Sequence, residues 1–361
     1  MTSRIYLDHA ATTPLRPQSA AAQVQAQASW ANPSSPHAEG RAARAVLEDA
    51  RRRIAAALGW GGEVILTAGA SEAAAIAMGQ SKAAHCLVSA VEHDAVLKAS
   101  AKAQIIAVGN DGGLNRDALA AALDGLAGSA LIAVQSINSE TGNRQDMAAI
   151  KALLRPGDML LVDASQSAGK FPLPVEADAV IVSAHKLGGP IGIGALLLRD
   201  YALLHPSGGQ ERGYRRGTEN VPAAAALAAA LEACETPYCR PDVLEPIETH
   251  LAPAIVELGG LRLADLLADH TPYIEAIAMP ELSGSAQLMR FDMKGFAVSQ
   301  GSACSSGSLR GSHVLEAMGL DADVAARTIR VSFGWNTTRA EVEAFCAEWI
   351  AMARSACGKT A

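Results

Sequence analysis

The feature that most constrains the fold is a repeated alternation of short apolar runs with stretches of helical composition. Polar residues follow the runs, and helical segments separate one run from the next. This alternation predicts an α/β fold with a mostly parallel sheet, in which the strands are apolar along their whole length because helices cover both faces. The predicted strands are residues 63–67, 87–89, 130–134, 159–162, 179–182 and 192–198.

One lysine stands directly after such a run. Lys186 lies in the turn 183–190, among small residues and glycines, after the apolar run 179–182. In doubly wound sheets ligands bind just beyond the carboxyl ends of the strands, so Ser183, His185 and Lys186 fall where a ligand is expected. A lysine there can form a Schiff base, which makes Lys186 the candidate covalent centre. The turn alone favours an ordinary surface lysine, and the rest of the chain decides against that alternative.

A small-residue turn, 68–72, follows the first predicted strand and precedes an alanine-rich helix that we expect from Ala73. A turn of this kind at a helix N-terminus offers free backbone N–H groups and the positive end of the helix dipole to an anion. Ser71 could add its hydroxyl. The alternative is that Ser71 is a simple N-cap with Glu72 in the first helical turn.

Polar side chains also follow the other predicted strands. Because the carboxyl ends of parallel strands meet at one edge of a sheet, we expect these side chains to converge on one crevice. In 328–333, the period of two puts Arg330 on the polar face of a further strand. The side chains that follow the other strands are His93, Ser139, Asp163 and Gln166.

The length and composition predict a two-domain globular protein. A chain of 361 residues, half of them hydrophobic, is longer than a single core usually serves. The composition shifts near residue 236, after an alanine-rich helix. We therefore predict a large domain over 15–235 and a small domain formed by 1–14 and 236–361, which carries the Gly/Ser-rich loop around Cys304.

Several classes of function are disfavoured. The net charge of -7 and the lack of a Lys/Arg-rich block with interleaved aromatic residues argue against nucleic-acid binding. The one basic run, 51–53, is interpreted as the solvated face of a helix over about 38–58, whose apolar stripe is predicted at Ala42, Val46, Ala50 and Ile54. The six cysteines lack the close spacing of a metal site and are expected to be free thiols, so no metal is predicted. No membrane segment or signal peptide is seen, and a cytoplasmic location is expected.

These stretches together resemble the cysteine desulfurases of group I, the NifS/IscS-like branch of the class V, fold-type I enzymes that depend on pyridoxal 5'-phosphate (PLP). The resemblance runs from Tyr6 to about Thr338. It implies a fold-type I large domain with a seven-stranded-type sheet and a small α+β domain. Its landmarks, in the order typical of the family, are residues 7–14, 32–35, 69–72, 92–97, 140–142, 163–166, 185–186, 210–213, 217–218, 301–304 and 329–330.

The resemblance implies a role for each candidate residue in binding the cofactor. Lys186 would hold PLP covalently and later act as general base, Asp163 would pair with the pyridine nitrogen, and His93 would stack on the ring. Ser139, where the family usually has asparagine, and Gln166 would contact the ring hydroxyl. The phosphate would be bound by Ala70, Ser71, Ser183 and His185, with Thr218 reaching it from the partner subunit of a homodimer.

The resemblance also implies the substrate and the reaction. Arg330, with Asn32 nearby, would bind the carboxylate of L-cysteine, and Cys304 would accept the substrate sulfur as a persulfide while L-alanine leaves. The sulfur would pass to an acceptor or iron–sulfur scaffold protein. Alternatives are a selenocysteine lyase, a transaminase, which would not need Cys304, or a weakly active scaffold paralogue. Departures from the family pattern at Ser139, Ala74 and Ala75 motivate the last of these.

Overall fold

The computed structural model describes residues 4–301 and 311–358, and a seven-stranded sheet is its largest element. In the sheet the strands stand in the order β2-β8-β7-β6-β5-β3-β4. The five from β7 to β4 run parallel, whereas β8 is antiparallel to both of its neighbours. The predicted α/β fold with a mostly parallel sheet is confirmed. These strands are β2 (Glu63–Thr67), β3 (His85–Ser89), β4 (Gln104–Ile106), β5 (Ala130–Gln135), β6 (Met159–Asp163), β7 (Ala179–Ser183) and β8 (Gly194–Leu198).

The central strands are apolar throughout because hydrophobic residues pack on both faces of the sheet. Val180 and Val182 of β7 belong to one cluster of buried side chains, and Ile181 belongs to another. Since successive side chains of a strand point to opposite faces, the two clusters are the two sides of the sheet. The helices that accompany them are α1 (Pro17–Ala26), α2 (Ala38–Ala57), α3 (Ala70–Gly79), α4 (Asp94–Leu97), α5 (Arg116–Asp124), α6 (Met147–Lys151) and α7 (Val221–Glu232).

A separate hydrophobic core forms from the chain after residue 237 together with Leu7. Its largest fully buried side chains include Phe291, Phe345 and Trp349. The predicted boundaries at 15 and 235 stay a prediction. The elements in this part are β9 (Leu261–Arg262), β10 (Ile274–Ala278), β11 (Phe296–Ala297), β12 (Thr328–Ser332), α8 (Pro241–Pro246), α9 (Ala252–Leu258), α10 (Gly284–Met293), α11 (His313–Ala317), α12 (Ala322–Ala326) and α13 (Arg339–Ala356).

Two small sheets connect the N-terminal segment to this second core. Strand β1 (Ile5–Tyr6) pairs in parallel with β11, and β10 lies between β9 and β12 in antiparallel pairing. The amide of Ser332 donates to the carbonyl of Leu7 at 2.8 Å. The polypeptide between β1 and α1 is thereby held against β12, which carries Arg330. Within the described residues, no helix combines the length and the apolar character needed to span a membrane.

Two predictions about α2 are wrong. Its buried residues include Ala43, Leu47, Ala50 and Ile54, so the predicted stripe holds at Ala50 and Ile54, whereas Ala42 is exposed and Val46 is only partly buried against the core. Arg51, interpreted as part of a solvated face, is only 8 % exposed, and its Nη1 donates to Glu211 Oε2 at 2.6 Å. A partner 160 residues away along the chain holds the guanidinium in the interior, and helical periodicity alone carries no signal of it.

Candidate active site

A cavity of about 640 Å³ lies at the carboxyl ends of the parallel strands. It is lined by ten of the residues predicted for the site, so the predicted convergence is found. A second cavity, of about 690 Å³, lies among residues 109–116, 143–150 and 268–269 and includes none of them. The ten are Ala70, Ser71, His93, Ser139, Asp163, Gln166, Ser183, His185, Lys186 and Arg330.

Lys186 reaches the cavity from a short 3-10 turn, Ala184–Lys186, that follows β7. Its Nζ donates to the carbonyl oxygens of Ala10 and Ala11 at 2.7 and 2.8 Å. The glycines after it are a steric requirement, since a Cβ on Gly189 would lie 2.9 Å from the Ala184 side chain. The turn therefore places the Lys186 amine against two carbonyl groups.

The turn before α3 forms an anion cradle. The helix begins at Ala70 with Gly69 as its N-cap, so the alternative in which Ser71 caps the helix is wrong. Gly69 has a φ of 147°, and a Cβ on Gly194 would lie 2.9 Å from the Gly69 Cα, so both positions favour glycine. The first-turn N–H groups have no acceptor inside the helix. Ala70 and Ser71 thus bring unpaired donors and a hydroxyl to the cavity.

His185 is neutral at neutral pH. Burial, together with the positive charges of Lys186 and Lys170, lowers its pKa to about 4. Its Nδ1 lies 2.5 Å from the hydroxyl of Thr12. A neutral imidazole beside the lysine can hydrogen-bond a bound anion but adds no fixed positive charge.

Asp163 contributes a carboxyl group to the cavity wall. Its Oδ1 accepts from the amide of Ser165 at 2.8 Å. A second carboxyl group, that of Glu92, is fully buried and accepts from the amide of Gln135, which faces Asp163 in the β5–β6 register. Burial and the charge of Asp163 raise the pKa of Glu92 well above its usual value.

His93 is the N-cap of α4, and its Nδ1 accepts from the amide of Ala95 at 3.1 Å. This bond requires a lone pair on Nδ1, so the neutral ring carries its proton on Nε2. The ring lines the cavity. The capping hydrogen bond fixes both the tautomer and the direction of the imidazole, so His93 can cap α4 and line the cavity at the same time.

Arg330 joins the cavity from β12 and is 3 % exposed. Its Nη2 donates to Asp8 Oδ1 at 2.7 Å and its Nη1 to the Ser139 carbonyl at 2.9 Å. The buried Nε has no hydrogen-bond partner among the described residues. The guanidinium is thus held in place at one end and keeps donor capacity, as a binder of a small carboxylate must.

Sequence reasoning missed the contribution of the N-terminal segment. The carbonyl of Ala10 accepts from both Lys186 Nζ and Gln166 Nε2, at 2.7 and 2.8 Å. A backbone carbonyl leaves no trace in residue identity. The indication available was the polar turn after Tyr6, which we noted only as a landmark.

Three predicted residues do not line this cavity in the described structure. Asn32 is exposed, and its Oδ1 accepts from the amide of Ser34 at 2.8 Å. Thr218 is also exposed, and its role toward a partner subunit stays a prediction. Cys304 lies outside the described residues.

Comparisons with known proteins agree on one family. The family model described as Aminotransferase class-V matches residues 5–345. The cysteine desulfurase IscS of Dictyoglomus turgidum is 32% identical, over 95% of this chain and 92% of its own. The IscS-like cysteine desulfurase of Mycobacterium tuberculosis is 35% identical, over 94% and 93%. A NifS-like protein from Rickettsia africae superposes with a TM-score of 0.85 at 27% identity, over 98% of this chain and 99% of that one.

Identity above 30% to full-length relatives, with a family model that matches most of the sequence, establishes the relationship that the site geometry suggested. The chain belongs to the class-V aminotransferase family, among the IscS- and NifS-like cysteine desulfurases.

Proposed function

We propose that this protein is a PLP-dependent cysteine desulfurase that converts L-cysteine to L-alanine and places the sulfur on Cys304. The observation that carries the proposal is the meeting of an amine, a carboxylate, an anion cradle and a buried arginine in one cavity. Lys186, Asp163, the start of α3 and Arg330 supply these four groups. The relatives named above are cysteine desulfurases, a family of PLP-dependent enzymes.

The residues present fit PLP part by part. The phosphate would be bound by the backbone at Ala70, with Ser71, Ser183 and His185, because N–H groups at a helix N-terminus favour an anion. Asp163 would pair with the pyridine nitrogen, and Lys186 with the aldehyde carbon. When bound, PLP supplies an electron sink for negative charge that develops next to the substrate nitrogen.

The chain's own groups would then bind the substrate and move its protons. Arg330 would bind the carboxylate of L-cysteine, because its guanidinium is already oriented by Asp8 and the Ser139 carbonyl. Lys186, once displaced from the cofactor by the substrate amine, would carry a proton at its Nζ to and from the substrate carbons. The carbonyls of Ala10 and Ala11 support this role, since they hold Nζ at one place in the cavity.

Cys304 would form the new bond to sulfur. Its thiolate would attack the substrate sulfur, so that an S–S bond forms as the C–S bond breaks. The electron pair of the broken bond would stay on the substrate carbon, which takes up a proton and becomes the methyl group of alanine. The backbones of Ser299 and Arg330 form two hydrogen bonds with each other, at 3.0 and 2.6 Å. Cys304 therefore follows shortly after a residue that is held against the substrate-binding arginine.

Three expectations about partners and location accompany the proposal. The persulfide would pass to an acceptor thiol on another protein, such as an iron–sulfur scaffold. The protein would act as a homodimer in the cytoplasm, with exposed Thr218 reaching the phosphate of the partner subunit. The resemblance to the family supports all three.

The test is release of alanine and sulfide from L-cysteine in the presence of a thiol reductant. The variants are Lys186→Ala and Cys304→Ala, with Lys98→Ala and Cys357→Ala as matched controls for loss of a lysine or a cysteine elsewhere. We expect Lys186→Ala to lose the visible absorbance of attached cofactor and all turnover, and Cys304→Ala to keep the absorbance but lose sulfide release. A wild-type protein that binds PLP yet forms no alanine from L-cysteine would contradict the proposal.

A further inference from the structure

Lys170 is a buried lysine beside the active site that the reaction described above does not use. It is 5 % exposed, and its Nζ lies 5.0 Å from the centre of the Tyr238 ring. Its hydrogen-bond partner is Gln166 Oε1, at 3.5 Å. Within the described residues no carboxylate forms a salt bridge with Lys170. Burying an ammonium without a carboxylate partner costs free energy, so a functional reason for this lysine is expected.

A continuous set of hydrogen bonds links Lys170 to Lys186. Lys170 donates to Gln166 Oε1, and Gln166 Nε2 donates to the Ala10 carbonyl at 2.8 Å. The same carbonyl accepts from Lys186 Nζ at 2.7 Å. Two lysines, the buried Lys170 and the half-buried Lys186, are therefore linked to one carbonyl, Lys186 directly and Lys170 through the amide of Gln166.

The contact fixes the orientation of the Gln166 amide. The oxygen and nitrogen of a glutamine amide are nearly equal in size, so hydrogen-bond partners decide which way the group points. The ammonium of Lys170 requires the oxygen on its side, and the Ala10 carbonyl requires the nitrogen on the other. Gln166 lines the cavity, so its second N–H is free to serve as a donor to a bound ring.

The charges around Lys170 are mostly positive. The titratable groups that face it are Lys186, Arg16, His9, His185, Cys234 and Tyr238. Burial and the charges of Lys186 and Arg16 lower the pKa of Lys170 to about 7. Burial also raises the pKa of Cys234, which therefore stays a neutral thiol and provides no countercharge. A pKa of about 7 leaves Lys170 partly protonated at neutral pH, and an N–H of either form can donate to Gln166 Oε1.

We propose that Lys170 is a positioning residue of the active site, which orients the Gln166 amide so that its nitrogen faces the Ala10 carbonyl and can donate to the cofactor. It acts through Gln166 and touches neither substrate nor reacting atom. The inference rests on the proposed function only in that Lys186 is taken as the residue that binds PLP.

The test measures attachment of PLP to Lys186 without turnover. Full-length protein stripped of cofactor is mixed with PLP at a series of PLP concentrations, the product is trapped with borohydride, and modification of Lys186 is quantified by mass spectrometry. In Lys170→Met we expect the PLP concentration for half-maximal attachment to rise about tenfold, or 1.4 kcal/mol, because the Gln166 amide has lost the donor that orients it. Lys170→Arg, which keeps a donor, stays near the wild type, and Lys98→Met is the control at an exposed site.

A second measurement tests whether Lys170 acts through Gln166. In the Gln166→Leu background, Lys170→Met should cause no further loss of PLP affinity, although the same change in the wild-type background weakens binding about tenfold. An unchanged PLP affinity in Lys170→Met, or equal losses of affinity in the two backgrounds, would overturn the proposal. Methionine replaces a buried charge with an apolar chain of similar length, so the variant is expected to fold, and a thermal melt checks this. Because PLP attachment is read without cysteine, an inactive enzyme would count against the proposed function and leave this result interpretable.

Discussion

Two buried arginines of the scaffold and two lysines of the active site differ in their hydrogen-bond partners. Arg51 is bound by both carboxylate oxygens of Glu211, at 2.6 and 3.1 Å, and Arg262 is bound in the same way by Glu275 and by Glu248. Lys186 and Lys170 instead face a carbonyl and an amide oxygen. A carboxylate partner stabilises the protonated form, whereas neutral oxygens do so far less.

The pKa values follow the same division. Burial opposes the charge of Arg51, but the hydrogen bond to Glu211 and the charges of Glu211 and Glu48 together outweigh burial and raise the pKa of Arg51. Burial and neighbouring positive charge lower the pKa of Lys170 to about 7, that of His185 to about 4 and that of His9 to about 3. The carboxylate-bound arginines keep their charge and hold the fold together, whereas the pKa values of Lys170, His185 and His9 are lowered and the two histidines are neutral at neutral pH.

Breaking a scaffold pair should have the largest effect. Arg51→Met leaves the Glu211 carboxylate buried without its partner, so we expect the free energy of unfolding to fall by about 3 to 5 kcal/mol. Urea denaturation of the full chain measures this. Arg52→Met, one residue along the same helix and exposed, is the control and should change stability by less than about 0.5 kcal/mol. Similar losses in both variants would mean that the pairing is not what stabilises this region.

Arg330 stands between the two classes, because it is paired with Asp8 yet keeps an unpartnered Nε at the cavity. Arg330→Lys keeps the charge and removes the planar fork, so we expect kcat/KM for L-cysteine to fall roughly 10- to 100-fold. The loss should come mainly through KM, as measured by steady-state alanine production. Unchanged kinetics would show that the fork does not bind the substrate carboxylate.

His9 should make the protein sensitive to acid. Its pKa is about 3 in the fold and near 6.5 when unfolded, so between these values the unfolded chain binds the extra proton. Stability contributed by the neutral ring is therefore present above pH 6.5 and lost as the pH falls, by about 1 kcal/mol per pH unit. We expect His9→Asn to show a shallower loss between pH 6.5 and 4.5 by chemical denaturation. Equal slopes in the two proteins would contradict this assignment.

Ser71 should have the smallest effect. In Ser71→Ala the backbone N–H groups of α3 remain, so we expect PLP affinity to fall only about fivefold, equal to one neutral hydrogen bond. Fluorescence titration of stripped protein with PLP measures the change. The control is Ser29→Ala, which lies far from α3 along the chain and outside the cavity lining. A loss of a hundredfold or more would mean that the hydroxyl, rather than the helix N-terminus, dominates anion binding.

The strands and the convergence of the site residues were predictable because each rests on a local pattern with one physical cause. A run such as 179–182 must be apolar at every position when both faces of its sheet are covered, and a polar residue directly after it, here Ser183, must lie at the ligand edge. The ordered family motifs then indicated which of those polar residues have roles. His93, Asp163 and Lys186 were identified in this way.

The errors arose where a distant partner or a backbone conformation decided the outcome. Arg51 was placed in solvent because Glu211 is far away in sequence, and Ser71 was weighed as a cap although Gly69, with its positive φ, is the residue that begins the helix. The Ala10 carbonyl was missed because every residue has one.

The sequence by itself determined the class of fold, the identity of the reactive groups and the family, because apolar periodicity and side-chain chemistry are properties of residues. Only the tertiary structure decided which groups share a hydrogen-bond acceptor, which cations have a carboxylate partner and which histidines are neutral. Those properties depend on distance and burial between segments remote along the chain, and local sequence holds no record of either.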